Sequence, residues 1–382
     1  MSFKVYRKKI LFLIPSLVGG GAERALLNIL AQFENEGAYE ITLCVVANVG
    51  TYLNQVPAKV KVVPLFSNNN AVRILAFLQK KLGFTYLFER KIRNKLTDHY
   101  DVAISFLDGN FTDLLFFIPH AIKTVSWVHS SYVTNKNFYK FYQNKNYKDF
   151  VKKNRYDKLD SIVFVSQDAK NEFITLFGAF KEMPVIYNFL DEKAVYEKAK
   201  TPIEHDSHTC MLFVAIGSYF PVKGYDKLIA AATILKSKHM DFNIHIYGQG
   251  YLKKTLQQQI IKANVEDKVF LKGFVKNPYP YILAADVFVM TSVSEAMPMA
   301  LCEAMILGKP TLVTNCSGCR EVVGYGKFGM MVQQTPKAIA EGMKRYIEKE
   351  TLKAEYSEKA HKRAIDFKDD VIMREIKKEV LC

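Results

Sequence analysis

Short apolar runs bounded by glycine, proline and polar turn residues recur along the chain. Between them lie longer stretches with apolar residues three and four apart, the alternation expected of buried strands and amphipathic helices. In the first half the runs fall at 10–14, 39–46, 60–64, 102–106, 123–128 and 161–165, with helices from Ala22 and Gln167 and one long basic amphipathic stretch over 71–96. A second series has strands at 211–216, 242–247, 269–271, 287–290 and 310–313, with helices from Gly224, Tyr251, Pro278 and Pro298. Such strand–helix repetition predicts parallel, doubly wound α/β sheets. Between the series, the charged segment 192–209 with Pro202 reads as a linker.

The pattern thus predicts two Rossmann-like halves facing across a cleft, with an N-terminal domain over 1–190 and a C-terminal one over 191–365. A chain of 382 residues exceeds the size at which one core stops growing, which agrees with two domains. The terminal helix, about 371–381, is too short to form a domain.

Lys4, Arg7, Lys8 and Lys9 ahead of an apolar run mimic a signal peptide, but the run is short and stops at Pro15. The glycine turn and amphipathic pattern that follow make it a first buried strand. No stretch has the roughly 18 uncharged apolar residues of a membrane span, so the expected location is cytoplasmic, peripheral to a membrane.

A net charge of +15 points to an anionic partner: nucleotide phosphates, an anionic membrane surface or nucleic acid. No nucleic-acid recognition module is present, so nucleic acid is not expected. Basic residues concentrate in two stretches, one with Arg73, Lys80, Lys81, Arg90 and Lys91, the other with Lys136, Lys140, Lys145, Lys148 and Lys152. Both are interleaved with aromatics, among them Phe77, Phe84, Tyr86, Phe88, Phe138, Phe141 and Tyr142. Interfacial helices on anionic lipid have this composition, as do helices with a solvated basic face and an aromatic core face. Six scattered cysteines suit a reducing compartment. Cys316-Ser-Gly-Cys319 has no second pair to complete a zinc site, so no metal is expected there.

The most informative segment runs from Val293 to Pro310, where seven residues separate Glu295 from Glu303. Pro298 suits a first helical turn, and Gly308-Lys-Pro310 closes the helix. Two carboxylates in so apolar a setting need polar company. Glu295, just ahead of the helix, is expected among free backbone N–H groups, and Glu303 two turns further on roughly the same face. A nucleotide sugar offers phosphates for the helix N-terminus and hydroxyls for the carboxylates. A further phosphate-site candidate is Gly217-Ser-Tyr-Phe-Pro-Val-Lys-Gly224, leaving the first strand of the second half. Lys223 supplies an ammonium there, and Gly224 permits close approach. Gly248-Gln-Gly250 and the turn from Gly273 through Phe274 and Val275 lie at other strand ends. Gly20 and Gly21 open the first helix and present N–H groups to a phosphate or an acceptor.

The segment around Glu295 and Glu303, continuing through Thr311-Leu-Val-Thr-Asn-Cys-Ser-Gly-Cys-Arg-Glu-Val-Val323, resembles the Glu-x7-Glu motif of the retaining GT-B glycosyltransferases of group 1, family 4-like. The resemblance implies that Glu295 contacts the transferred hexose and Glu303 the ribose hydroxyls. It places Gly217, Ser218, Lys223, Gly248, Met297, Pro298, Met299 and Ala300 at the donor, Phe274 and Val275 at the nucleotide base, and His129 near the transferred sugar. It also implies that the last helix, about 366–382, crosses back onto the N-terminal half. Ser218 departs from the Arg often found there, removing one expected phosphate charge. No Asp-x-Asp occurs, so neither a metal nor another cofactor is expected, and Lys223 and helix N-termini must neutralise the leaving group. Arg24 interrupts the dinucleotide fingerprint, which argues against an NAD enzyme; a serine nucleophile elbow and a P-loop are also missing.

The expected activity is metal-independent retaining transfer of a hexosyl or N-acetylhexosaminyl unit from a nucleotide sugar, a UDP-sugar, to a saccharide or lipid-linked acceptor in envelope polysaccharide synthesis. Two alternatives are a nucleotide-sugar epimerase or phosphorylase of the same fold, and a nucleotide-sugar-binding protein without turnover.

Overall fold

The computed structural model of the chain describes residues 6–203 and 210–382, without the side chains of 80–82 and 136–138. Lys4, the side chains of Lys80, Lys81, Lys136 and Phe138, and the 204–209 part of the expected linker lie outside the described residues. The chain forms two compact units. The first comprises residues up to Ser130, Lys140–Phe189 and Ile372–Cys382; the second comprises Ser131–Tyr139 and Leu190–Val371.

In the first unit, β1 (Lys8–Ile14), β2 (Tyr39–Ala47), β3 (Lys61–Phe66), β4 (Tyr100–Ser105), β5 (Ala121–Val128) and β6 (Ser161–Phe164) form one sheet in the order β3-β2-β1-β4-β5-β6. Every neighbouring pair is parallel. Residues 10–14 of β1 are fully buried, which explains an unbroken apolar run where a one-faced strand would alternate. Phe12 packs against Phe33 of helix Gly21–Glu36 and against Phe106 beyond β4.

The second unit repeats the design. Its strands are β7 (Met211–Ile216), β8 (Phe242–Tyr247), β9 (Val269–Gly273), β10 (Val287–Met290), β11 (Thr311–Thr314) and β12 (Met330–Val332), ordered β12-β11-β10-β7-β8-β9 and all parallel. Counted from its own first strand, each sheet runs 3-2-1-4-5-6. The strand order therefore reverses between β1 and β4, and again between β7 and β10. In open α/β sheets these reversal points, at the strand C-terminal ends, are where ligands bind.

Several elements differ from the pattern-based expectation. The amphipathic stretch 71–96 is two helices, Asn69–Leu82 and Tyr86–Lys95, separated at Gly83, which caps the first with a φ of 66°. The expected linker contains helix Glu192–Ala199, capped by the Asp191 carboxylate and tied down by the Tyr196 hydroxyl donating to the Ile306 carbonyl at 2.6 Å. Only Val195 and Ala199 of that helix are buried, so its apolar stripe is too thin to stand out from a charged segment. Strand β12 and helices Pro336–Glu348 and Thr351–Ala364 were not anticipated. Segment 131–139 is part of the second unit although it follows β5 of the first in sequence. Among the described residues no helix is long and apolar enough to cross a membrane.

Candidate active site

The reversal point of the second unit brings two loops together. The turn after β7 is anchored at Gly217, whose N–H donates to the Tyr247 carbonyl at 3.0 Å, and passes through a short 3-10 turn at Pro221–Lys223 to Gly224. The loop after β10 is stitched to it: the Thr291 hydroxyl lies 3.0 Å from the Lys223 carbonyl, and the Val293 N–H donates to the Val222 carbonyl at 2.8 Å. On its other side the Gln334 amide donates to the Val293 carbonyl at 3.1 Å. Two connections from opposite sides of the reversal point are thus held as one body.

On that body Lys223 and Glu295 meet. The ammonium is 2.7 Å from Glu295 Oε1, and the Ser292 hydroxyl donates to the same oxygen at 2.7 Å. The side chains are 20% and 14% exposed, so the pair is enclosed but not sealed. Burial pulls the Lys223 pKa down, while the charge and hydrogen bond of Glu295 more than offset it and hold the ammonium above its ordinary value. Desolvation of an enclosed ion pair offsets much of its attraction, so such a pair is a poor source of stability. Its physical effect is to fix a cation and an anion at the ligand edge of a parallel sheet.

Glu295 is held by Lys223 and Ser292, not by the helix N–H groups expected from the sequence. Pro298 is the N-cap rather than a first-turn residue, and the helix is Met299–Ile306. Gly308 and Lys309 close it through N–H bonds to the carbonyls of Met305 and Ala304, as the spacing predicts. Glu303 lies on this helix, and the Tyr279 hydroxyl donates to its Oε1 at 3.1 Å. Met297 and Pro298 are buried, whereas Met299 and Ala300 at the helix start are partly exposed.

Residues the sequence did not single out support the site. Gly318, at φ 75°, lies so close beneath the loop that a Cβ there would come within 2.6 Å of the Ala296 carbonyl and 2.7 Å of that of Glu295. Buried Tyr219 donates its hydroxyl to the Ile246 carbonyl at 3.0 Å and accepts from the Gly273 N–H at 3.3 Å, binding the turns after β7 and β9 together. Gly248 lies against the Gly217 carbonyl, where no side chain fits. Ser218 is partly exposed on the same turn, Phe274 is 64% exposed, and Val275 packs on an apolar cluster with Tyr247. Hydroxyl residues just ahead of the Glu-x7-Glu segment, inside it and in its continuation were the available signal for Ser292, Ser294 and Ser317. Cys316 and Cys319 are free and buried, and burial pushes the Cys319 thiol well above its ordinary pKa. Among the described residues no cluster of three His, Cys, Asp or Glu side chains could hold a metal ion.

The first unit furnishes its reversal point otherwise. Gly20 caps helix Gly21–Glu36, and the Glu23 carboxylate folds over it, so the expected anion site is covered by an acid of the same helix. Burial raises the Glu23 pKa against the opposing effect of its own backbone N–H. After β5, the His129 ring packs at 4.7 Å from Phe106 and 6.2 Å from Trp127. Its Nε2 is enclosed with no hydrogen-bond partner among the described residues, and burial pushes the imidazole down to a pKa of about 3. His129 is therefore a neutral group. Asp108, whose N–H donates to the Trp127 carbonyl at 3.1 Å, accepts from the Ser126 hydroxyl at 3.0 Å and the Tyr156 hydroxyl at 2.9 Å.

Family comparison covers both units. Residues 199–363 match the model for glycosyl transferases group 1, and residues 19–194 match that for glycosyltransferase family 4. The chain is 30% identical over 229 residues, 59% of its length, to 61% of the Campylobacter jejuni N-acetylgalactosamine-N,N'-diacetylbacillosaminyl-diphospho-undecaprenol 4-alpha-N-acetylgalactosaminyltransferase. It is 23% identical to an uncharacterized glycosyltransferase of Haemophilus influenzae, covering 97% of this chain and 99% of that protein. Among solved structures, Anabaena HepE in complex with UDP-glucose superposes with a TM-score of 0.77 at 19% identity, over 97% of this chain and 98% of that one. With two parallel six-stranded units of identical winding, and with both family models matched in consecutive halves, the protein is a member of the group 1 glycosyltransferases with the GT-B fold.

Proposed function

We propose that the protein transfers a hexosyl or N-acetylhexosaminyl unit from a UDP-sugar, with retention of configuration, to a saccharide or lipid-linked saccharide acceptor in envelope polysaccharide synthesis. The observation that carries this reading is the enclosed Lys223–Glu295 pair at the strand-order reversal of the second unit. When the bond from the sugar C1 to the diphosphate oxygen breaks, negative charge grows on the diphosphate, and a fixed ammonium stabilises that charge more than it stabilises the bound donor. The acceptor oxygen bonds to C1 on the face the diphosphate leaves, and its proton passes to a diphosphate oxygen. Glu295, with Met297, Pro298, Met299 and Ala300, is assigned to the transferred sugar, and Glu303 to the ribose hydroxyls. Gly217, Ser218 and Gly248 are assigned to the diphosphate, and Phe274 and Val275 to the base. On the first unit His129, Gly20 and Gly21 are the candidates. Support for the donor and acceptor classes comes from HepE, solved with UDP-glucose, and from the Campylobacter enzyme, whose name describes an undecaprenol-linked acceptor.

A lipid-linked acceptor implies an anionic membrane surface as a partner, with the protein on the cytoplasmic face. Exposed side chains favour this. Ile74 and Phe77 of helix Asn69–Leu82, Phe84 after it, and Tyr86 and Leu87 of helix Tyr86–Lys95 all face solvent beside exposed Arg73, Arg90 and Lys91. Phe88 and Tyr142, grouped with the surface aromatics by the sequence pattern, are core residues. Basic residues near an anionic bilayer contribute about 1 kcal/mol each, and the apolar groups add burial in the headgroup region.

A thermal-shift screen of nucleotide sugars identifies the donor, because a ligand that binds only the folded state raises its stability. With that donor, Glu303→Ala weakens binding and Glu295→Ala mainly lowers turnover; wild-type kinetics for both would sink the assignment. Turnover survives EDTA, and inhibition reversed by manganese would contradict metal independence. The protein sediments with anionic but not neutral vesicles, and replacing Arg73, Arg90 and Lys91 by Gln with Phe77 by Ser releases it. Equal recovery in the supernatant with both vesicle types makes a soluble acceptor the better assignment.

A further inference from the structure

Beside the Lys223–Glu295 pair lies a knot of four hydroxyls that neither the motif nor the ion pair accounts for. Ser131 and Thr134 come from the 131–139 segment of the second unit, Ser294 from the loop bearing Glu295, and Ser317 from the turn whose Gly318 underlies that loop. Thr134 Oγ1 is 2.8 Å from Ser294 Oγ, 2.8 Å from Ser317 Oγ and 2.6 Å from Ser131 Oγ, and Ser131 Oγ is 3.0 Å from Ser317 Oγ. Ser131, Ser294 and Ser317 are 3%, 5% and 1% exposed. A hydroxyl donates one hydrogen bond and accepts two. Four contacts among four hydroxyls are all made at once if Ser294 donates to Thr134, Thr134 to Ser317, Ser317 to Ser131 and Ser131 to Thr134.

We infer that Thr134, seated by Ser131 and Ser317, is a positioning residue for Glu295 and acts through the Ser294 hydroxyl. The loop after β10 is tied at Thr291 and Val293 to the turn after β7, and Glu295 is tied by its side chain to Lys223 and Ser292. Between these anchors Ser294 turns its hydroxyl to Thr134, which fixes the peptide immediately before Glu295. A site on a loop holds its groups to within about 0.5 Å only when neighbouring contacts lock it. Hydroxyls bonded to one another provide such a lock, because moving Thr134 breaks contacts with three serines that are themselves buried. The inference rests on the reading that Glu295 contacts the transferred sugar.

Thr134→Val keeps the side-chain shape and removes the hydroxyl, and Thr134→Ser restores it. Hydrogen–deuterium exchange over 291–299 requires no substrate: Thr134→Val is expected to speed exchange there about tenfold, as loss of a local opening cost does, with Thr134→Ser returning it to wild type. With the donor found by the thermal-shift screen, Thr134→Val lowers kcat about tenfold and changes KM less than about threefold, the split expected when a transition-state contact is misplaced. Added to Glu295→Ala, it costs nothing further, since residues acting as one unit are not additive. Unchanged exchange over 291–299, or an equal loss of kcat with and without Glu295, overturns the inference. If Glu295→Ala alone keeps full turnover, the reading of Glu295 fails instead, and the exchange result still decides whether Thr134 holds the loop. Thermal unfolding of Thr134→Val and of Ser131→Ala separates a displaced loop from a destabilised unit: if Thr134→Val does not fold, Ser131→Ala must show the same local exchange and kcat changes or the inference falls.

Discussion

The two units wind their six strands in the same order, yet the loops at their reversal points carry opposite kinds of chemistry. In the second, Lys223 and Glu295 stand as a charged pair held by Ser292 and Thr291. In the first, an acid of the same helix covers the glycine turn, and one strand beyond the reversal the ring after β5 is a neutral histidine among Phe106 and Trp127. Parallel winding supplies a place for a ligand on each unit. Whether that place can stabilise a developing charge depends on a few side chains: in the second unit the ammonium of Lys223 is paired with Glu295, whereas in the first the Arg24 guanidinium is engaged by Gln55 at 2.8 Å and by the Tyr52 ring.

Removing that cation is expected to have the largest effect. Lys223→Ala should lower kcat by about 10²–10³, roughly 3–4 kcal/mol of transition-state stabilisation, as loss of one preorganised charge-stabilising contact does. It also leaves Glu295 enclosed without its partner, so UDP binding should weaken while the fold persists. Steady-state kinetics and UDP titration check both. A loss smaller than about fivefold would mean that the diphosphate is neutralised elsewhere, and the contrast between the units would lose its chemical meaning.

The difference between the units also governs what the sequence could reveal. Strands such as 10–14 and 211–216 were legible because burial on both faces leaves an unbroken apolar run. Strand β12 was missed because Met330–Val332 is only three residues long, too short for periodicity to register. In the site, Glu295, Glu303 and Lys223 stood out as charged residues in apolar or glycine-rich settings. Their partners did not. Nothing in one dimension announces that Ser292 and Lys223 would converge on one carboxylate oxygen, or that Thr134 would reach Ser294 across 160 positions, since those pairings exist only after the loops are placed. At Gly20 the glycine turn opening a helix is a sound signal for anion binding, and the acid three residues on is drawn to the same helix terminus, a competition the sequence pattern does not display.

Gly318→Ala tests how rigidly the second unit holds its pair. At φ 75° an alanine is strained, and its Cβ would press on the carbonyls of Glu295 and Ala296. The expected cost is about 1–3 kcal/mol of stability, the range for a residue forced into a sparsely populated conformation. Turnover should fall further than stability alone predicts, because the obstructed backbone is that of Glu295. Thermal unfolding and kcat measured on the same preparation separate the two. Full turnover with lowered stability would show that the loop can shift without consequence.

The neutrality of His129 can be broken with pH. Its folded pKa is pushed down to about 3 by burial, against about 6.5 in the unfolded chain. Between these values the unfolded state carries a proton that the folded state lacks, so stability falls as the pH drops below about 6.5, with a slope of up to about one proton from this residue. Thermal unfolding from pH 7.5 to 4.5 should show a shallower decline for His129→Phe than for the wild type. Turnover should show no limb near pH 6.5 traceable to this imidazole. Identical pH dependence of unfolding in the two proteins would mean that His129 titrates normally and that the first unit can present a charged ring.

The smallest effect is expected at Glu23, and it bears most directly on the contrast. The carboxylate lies over Gly20 at the start of helix Gly21–Glu36, where a negative charge stabilises the helix terminus by about 0.3–1 kcal/mol. Partial burial outweighs that gain and holds the carboxyl above its ordinary pKa, so Glu23→Gln, which keeps the hydrogen-bonding shape and removes the charge, should raise the melting temperature at neutral pH by no more than a few degrees. If the turn at Gly20 and Gly21 receives an anionic part of the donor, the wild-type carboxylate opposes it. The variant should then bind UDP slightly more tightly, by less than about threefold, because a partly solvated like charge is strongly screened. Isothermal titration at low and moderate salt reads this, and the gain should shrink as salt rises. Weaker binding of UDP by the variant would show that Glu23 assists the donor rather than opposing it, and the first unit would then contribute an acid, not a bare glycine turn, to recognition.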